Sequence, residues 1–139
     1  MKEVDIQSIK DACTPVFEKQ PVVFAYLFGS LAGSTATSDS DADIAVFLPE
    51  RMSKEERFEL RLRLMSELGH ALKRNVDVVI LNDVISLFFK YVILKEGMVI
   101  YEASEASRLD FAARTLSLYF DFLPFLNQYN RAYVQRGVQ

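Results

Sequence analysis

Seven consecutive apolar residues, Val22-Val23-Phe24-Ala25-Tyr26-Leu27-Phe28, run straight into Gly29-Ser30. Successive strand residues point to opposite faces, so a strand that is apolar at every position is buried on both. A sheet with such a strand must be covered on both sides, and the segments that follow can supply the cover. The pattern predicts a helix from Asp5 to about Lys19, this buried strand, and a small polar stretch from Leu31 to Ser40 that reads as a helical turn and loop. A second strand follows from Asp41 to Leu48, closed by Pro49. Ser53 and Glu56 have the spacing of a capping box. They open a helix to about Arg74 whose buried stripe would be Phe58, Leu62, Met65, Leu68 and Leu72.

Val76 to Leu81 is a third strand, and Asn82-Asp83 can cap a helix over about Val84 to Lys95, stopped by Gly97. Met98 to Tyr101 is a short fourth strand, and Ser104 can cap a long last helix reaching beyond Arg131, with Pro124 expected to kink it. The expected fold class is α/β in the broad sense (α+β), a small mixed sheet with flanking helices. We expect one domain over residues 1–139, with its core at about 22–101 and a C-terminal helical segment at about 104–136.

Composition narrows the function. A formal charge of −3 and a pI of about 5.2 disfavour a protein that tracks along nucleic acid by neutralising phosphates. The single cysteine, Cys13, has no partner for an internal disulfide and reads as a packed residue, and no Cys/His zinc spacing exists. His70 is the only histidine, which removes multi-histidine metal sites, and it reads as an ordinary helix residue. The N-terminus lacks an apolar signal segment and no run approaches a membrane span, so a cytoplasmic protein is expected.

Asp41 and Asp43 stand two apart at the start of a strand and share a face, while Ala42, Ile44, Val46 and Leu48 point to the core. Two neighbouring carboxylates repel, and a divalent cation relieves them; all-oxygen ligation suits Mg²⁺. Asp77 interrupts an apolar strand, where a lone charge is costly unless paired or liganded. If the two strands are neighbours, Asp77 completes a cluster able to hold two metals. Gly29 tolerates unusual dihedrals and lets a phosphate approach the backbone, and the Ser30 hydroxyl could bond a β- or γ-phosphate oxygen. Each element alone also has a bland reading, as a loop, a strand end or an edge-strand charge. Their order along the chain is what points to phosphate chemistry.

Leu27-Phe28-Gly29-Ser30, ten residues, then Asp41-Ala42-Asp43-Ile44 resembles the Gly-Ser-x10-Asp-x-Asp motif of minimal nucleotidyltransferases of the DNA polymerase beta superfamily. Ser38-Asp39-Ser40-Asp41 resembles that family's approach to its acidic pair, and Asp77 in Val-Asp-Val-Val matches its third carboxylate; the likeness covers roughly residues 22–81. Length and the aromatic last helix look most like antitoxins of the MntA kind, encoded with HEPN-domain ribonuclease toxins of the HepT kind. The resemblance implies the nucleotidyltransferase fold. It also implies Asp41, Asp43 and Asp77 as catalytic and metal-binding residues, Gly29 and Ser30 on the nucleotide, and Mg²⁺ and ATP as cofactor and substrate. The activity implied is AMP transfer to a tyrosine hydroxyl of the toxin.

A binding-only antitoxin that masks its partner, or an enzyme acting on a small hydroxyl compound such as an aminoglycoside, remains the alternative. One departure stands out: many relatives carry arginine just after Gly-Ser, where this chain has Leu31. Lys73 and Arg74 could supply the missing phosphate contact, or could simply complement a helix C-terminus. The last helix is apolar around most of its girth, with Leu116, Leu118, Tyr119, Phe120, Phe122, Leu123, Phe125 and Leu126. That excess predicts a second buried surface, either a partner or a segment folded back at Pro124.

Overall fold

The computed structural model describes residues 5–32 and 41–138, without the side chains of residues 30, 129, 130 and 132–138. Residues 33–40, with Ser38-Asp39-Ser40, lie outside the described residues. Helix α1 (Ile6–Glu18) starts at Asp5, whose carboxylate accepts the Gln7 amide. Strand β1 (Phe24–Phe28) leads into a 3₁₀ turn over Gly29–Ala32, and β2 spans Ala42–Phe47. Helix α2 (Lys54–Leu72) carries the predicted reciprocal cap between Ser53 and Glu56. Then come β3 (Val76–Ile80), a 3₁₀ turn (Leu81–Asp83), α3 (Leu87–Glu96), β4 (Met98–Glu102) and α4 (Glu105–Val138). The element order is the expected one.

The four strands form one mixed sheet in the order β3-β2-β1-β4. β1 runs antiparallel to β2 and β4, whereas β2 and β3 are parallel. A parallel pair cannot be joined by a hairpin, and α2 provides the crossover. On one sheet face Ala25, Leu27, Ile44, Val46 and Val78 pack with Ile9, Cys13 and Phe17 of α1 and Leu60, Leu64 and Leu68 of α2. On the other face Phe24, Tyr26 and Ala45 pack with Leu81, with Ile93 of α3 and with Phe111 of α4. Phe24 through Leu27 are all buried, as an unbroken apolar strand between two helical layers requires.

Two local expectations are corrected. The buried stripe of α2 is Leu60-Leu64-Leu68, flanked by partly buried Met65 and Leu72, while Phe58 and Leu62 are 58% and 49% exposed. The helix after β3 begins not at Asn82-Asp83 but at Ser86, whose hydroxyl accepts the Phe89 amide. Asn82 is occupied elsewhere: its Oδ1 accepts the Leu48 amide at 2.9 Å and its Nδ2 donates to the Leu48 carbonyl at 2.8 Å, closing the end of β2. Asp83 is held by Arg57, with Nη2 to Oδ1 at 2.7 Å. The long last helix is as expected: α4 continues as one helix through Pro124, which removes the alternative of a segment folded back there. No described helix is long and apolar enough to cross a membrane.

Candidate active site

Topology gathers the predicted residues at one end of the sheet. β1 ends where β2 and β3 begin, because β2 is antiparallel to β1 and parallel to β3. In register, Phe28 lies opposite Asp43, and Asp43 lies opposite Asp77. Ala42, Ile44, Val76 and Val78 are buried in the core on the α1/α2 face. By strand alternation Asp43 and Asp77 therefore share the opposite face. Helices α3 and α4 cover that face further along, but this end is open: Asp77 is exposed and Asp43 only partly buried. Asp41 is exposed and immediately precedes β2.

Gly29 adopts φ +74, a left-handed conformation in which a side chain is strained. A Cβ there would stand 2.4 Å from Asp43 Oδ2. The absent side chain is thus what lets the Asp43 carboxylate lie against the backbone turn. The Ser30 backbone lies in the same turn; its hydroxyl is outside the described side chains. Leu31 is buried with the α1/α2 core, so the position that carries arginine in many relatives faces inward here.

Electrostatics mark Asp43. Its carboxyl is pushed above the ordinary value, first by burial, then by the negative charges of Asp77 and Asp41. The neighbouring acids thus add to the cost of ionising Asp43, and an all-oxygen donor set of this kind suits a hard divalent cation. Among the described residues, no three acids, histidines or cysteines are gathered closely enough to hold an ion as they stand. Asp77 is drawn to Arg61, whose Nη2 lies 3.1 Å from Oδ1. Strand and helix periodicity alone do not display this contact. The available signal was the i,i+4 pair Arg57 and Arg61, matched by acids at 77 and 83, which they do engage.

Beside the acids, a cleft of about 550 Å³ is lined by Asp41, Ser66, Gly69, His70, Lys73, Arg74 and Asn75. The two basic residues singled out for phosphate contact thus share a wall with Asp41. Lys73 closes α2 in the left-handed region at φ 55. Cys13 is fully buried, and burial pushes its thiol up to about 12, so it is an inert packing residue.

Known proteins resemble this chain in sequence and in fold. The Shewanella oneidensis protein adenylyltransferase MntA is 33% identical over 94 residues, which are 68% of this chain and 63% of that protein, so less than two thirds of the relative's length is matched. A toxin–antitoxin crystal structure with AMP-PNP superposes with a TM-score of 0.66 at 23% identity, covering 98% of this chain and 100% of the other. A complex of tri-AMPylated Shewanella oneidensis HEPN toxin with its MNT antitoxin gives 0.66 at 21% identity over 97% and 100%. Residues 11–106 match the sequence model described as Polymerase beta, Nucleotidyltransferase, and the chain belongs to that family.

Proposed function

We propose that this chain is an antitoxin that transfers AMP from ATP to a tyrosine hydroxyl of a cognate HEPN-type ribonuclease toxin and so silences it. The observation that carries the reading is the convergence of Gly29, Asp41, Asp43 and Asp77 at one open end of the sheet, with the Asp43 anion disfavoured by burial and by its acidic neighbours. The names of the relatives, an adenylyltransferase and antitoxins seen with AMP-PNP or with an AMPylated toxin, support the choice of reaction and partner.

In this reading Asp41 and Asp43 would hold Mg²⁺, which would supply charge neutralisation for the triphosphate and a lower pKa for the acceptor hydroxyl. Gly29 and Ser30 cradle the outer phosphates, and Lys73 and Arg74 line the adjoining cleft as further anion contacts. The tyrosine oxygen attacks the α-phosphorus in line; its new bond to phosphorus forms as the bond to the bridging oxygen breaks, and pyrophosphate leaves. Asp77 orients the phenol, whose free pKa near 10 calls for such help at neutral pH, and takes up its proton. Catalysis consists of positioning and charge neutralisation.

The second reading, masking by contact, is favoured by the exposed aromatic side chains of α4. Both are tested by intact-mass spectrometry of the partner after incubation with this chain, ATP and Mg²⁺, beside an Asp41→Asn/Asp43→Asn variant. AMP units on the partner, absent with the variant, are expected. A tight complex without any gain of mass would establish masking alone. Neither complex nor gain would redirect the search to small hydroxyl acceptors.

A further inference from the structure

Asp77 has a counter-ion built into the fold. Arg61 leaves α2 toward β3, which is an edge strand of the sheet. Its Nε donates to the Val78 carbonyl at 2.6 Å and its Nη2 to Asp77 Oδ1 at 3.1 Å. One planar fork therefore grips the backbone of one residue and the carboxylate of the residue before it. The Val78 bond fixes the guanidinium, and the guanidinium fixes the carboxylate. The side chains of Arg61 and Asp77 are 34% and 56% exposed, and an ion pair so open to water adds little to stability. Stability alone thus does not account for a pair located where the acids converge.

Position gives it another use. Asp77 lies opposite Asp43 in register, so Arg61 places positive charge at the rim of the cluster. An acidic cluster without such a charge would grip a divalent cation more tightly, and its third carboxylate would be free to rotate. We infer that Arg61 is a positioning residue of the transfer reaction: it holds Asp77 in the orientation the acceptor meets and tempers the cluster's hold on the metal. The inference rests on the assignment of Asp77 to the site.

The test compares Arg61→Met, which removes charge and fork, with Arg61→Lys, which keeps the charge alone, and Asp77→Asn. Mn²⁺ binding to the protein, followed by electron paramagnetic resonance, is read beside Tm and the kcat and KM for ATP in AMP transfer. Arg61→Met is expected to bind Mn²⁺ several-fold more tightly while kcat falls about 10-fold or more at nearly constant KM. Arg61→Lys should keep the parent's Mn²⁺ affinity with an intermediate kcat. A purely structural arginine would instead lower Mn²⁺ affinity, Tm and kcat together, and that result overturns the inference. So does a parent-like kcat in Arg61→Met. If Arg61→Met does not fold, Arg61→Lys decides: reduced kcat at unchanged Mn²⁺ affinity supports the role, and parent-like kcat refutes it. Asp77→Asn separates the levels. Loss of transfer there with a parent-like Arg61→Met sinks the arginine alone, whereas unchanged transfer and binding in Asp77→Asn removes Asp77 from the site and the inference with it.

Discussion

Asp43 sits against the Gly29 turn, faces Asp77 across the parallel pair, and is followed by buried Ile44 and Ala45. Its carboxyl is held above the ordinary value of 3.8, by burial first and by Asp77 and Asp41 next. A raised carboxyl means that the folded protein retains a proton which the unfolded chain has already released. The associated stability is fully present below 3.8 and is lost as pH rises through the raised value. At neutral pH the metal-free protein therefore carries a destabilising charge that an amide would not. Asp43→Asn is expected to raise the metal-free Tm at about pH 7, and to raise it less near pH 4. The same change should cut the proposed AMP transfer by about 1000-fold or more, if several kcal/mol of charge stabilisation in the transition state are lost. Melting curves at the two pH values, set beside the transfer assay, check both halves. A variant that melts lower at neutral pH would show that the carboxylate is satisfied where it stands.

Among the elements, the passage from α3 to β4 is tightly packed. Gly97 ends α3 in an extended conformation, φ −77 and ψ 163, so its conformational freedom is not what the position uses. Space is: a Cβ would meet the Ile93 carbonyl at 2.3 Å and the Leu27 carbonyl at 3.2 Å, both backbone atoms that cannot swing aside. Gly97→Ala should cost about 1–3 kcal/mol as α3 or β4 is displaced, read as a lower urea midpoint with an unchanged slope. The glycine was legible in the sequence as a stop, but its reason was not, because the reason is a neighbouring strand. The same division holds for α2. Spacing admits two apolar stripes that share Leu68, one through Phe58, Leu62 and Met65 and one through Leu60 and Leu64, and only packing on the sheet selects the second. That choice of rotation also turns Arg57 and Arg61 toward Asp83 and Asp77. A sequence can therefore display Asp41, Asp43 and Asp77, whose strands have a fixed period of two, while hiding Arg61, whose direction depends on how a whole helix is rolled.

At the scale of the molecule, α4 has more helix than the sheet can cover. Its 34 residues extend about 51 Å, against the ~30 Å diameter of a small domain. The proximal part is anchored: Phe111 packs on Phe24 and Phe47, Thr115 and Tyr119 are buried, and Tyr119 stacks on Tyr91 of α3 at 3.9 Å. Beyond that anchor Phe122 and Phe125 face water, 48% and 68% exposed. These rings contribute little to the fold as it stands, so replacing them tests the surface without testing the core. Phe122→Glu/Phe125→Glu is expected to shift stability by no more than about 0.5 kcal/mol per site. The same variant should lose co-elution with the proposed HEPN-type partner on size exclusion and with it the proposed AMP transfer, while ATP binding, whose proposed residues Gly29, Asp41 and Asp43 are unchanged, stays as in the parent. A complex that survives two buried charges would move the docking surface to the anchored part of α4 and α3, where Phe88 is 58% exposed beside Tyr119.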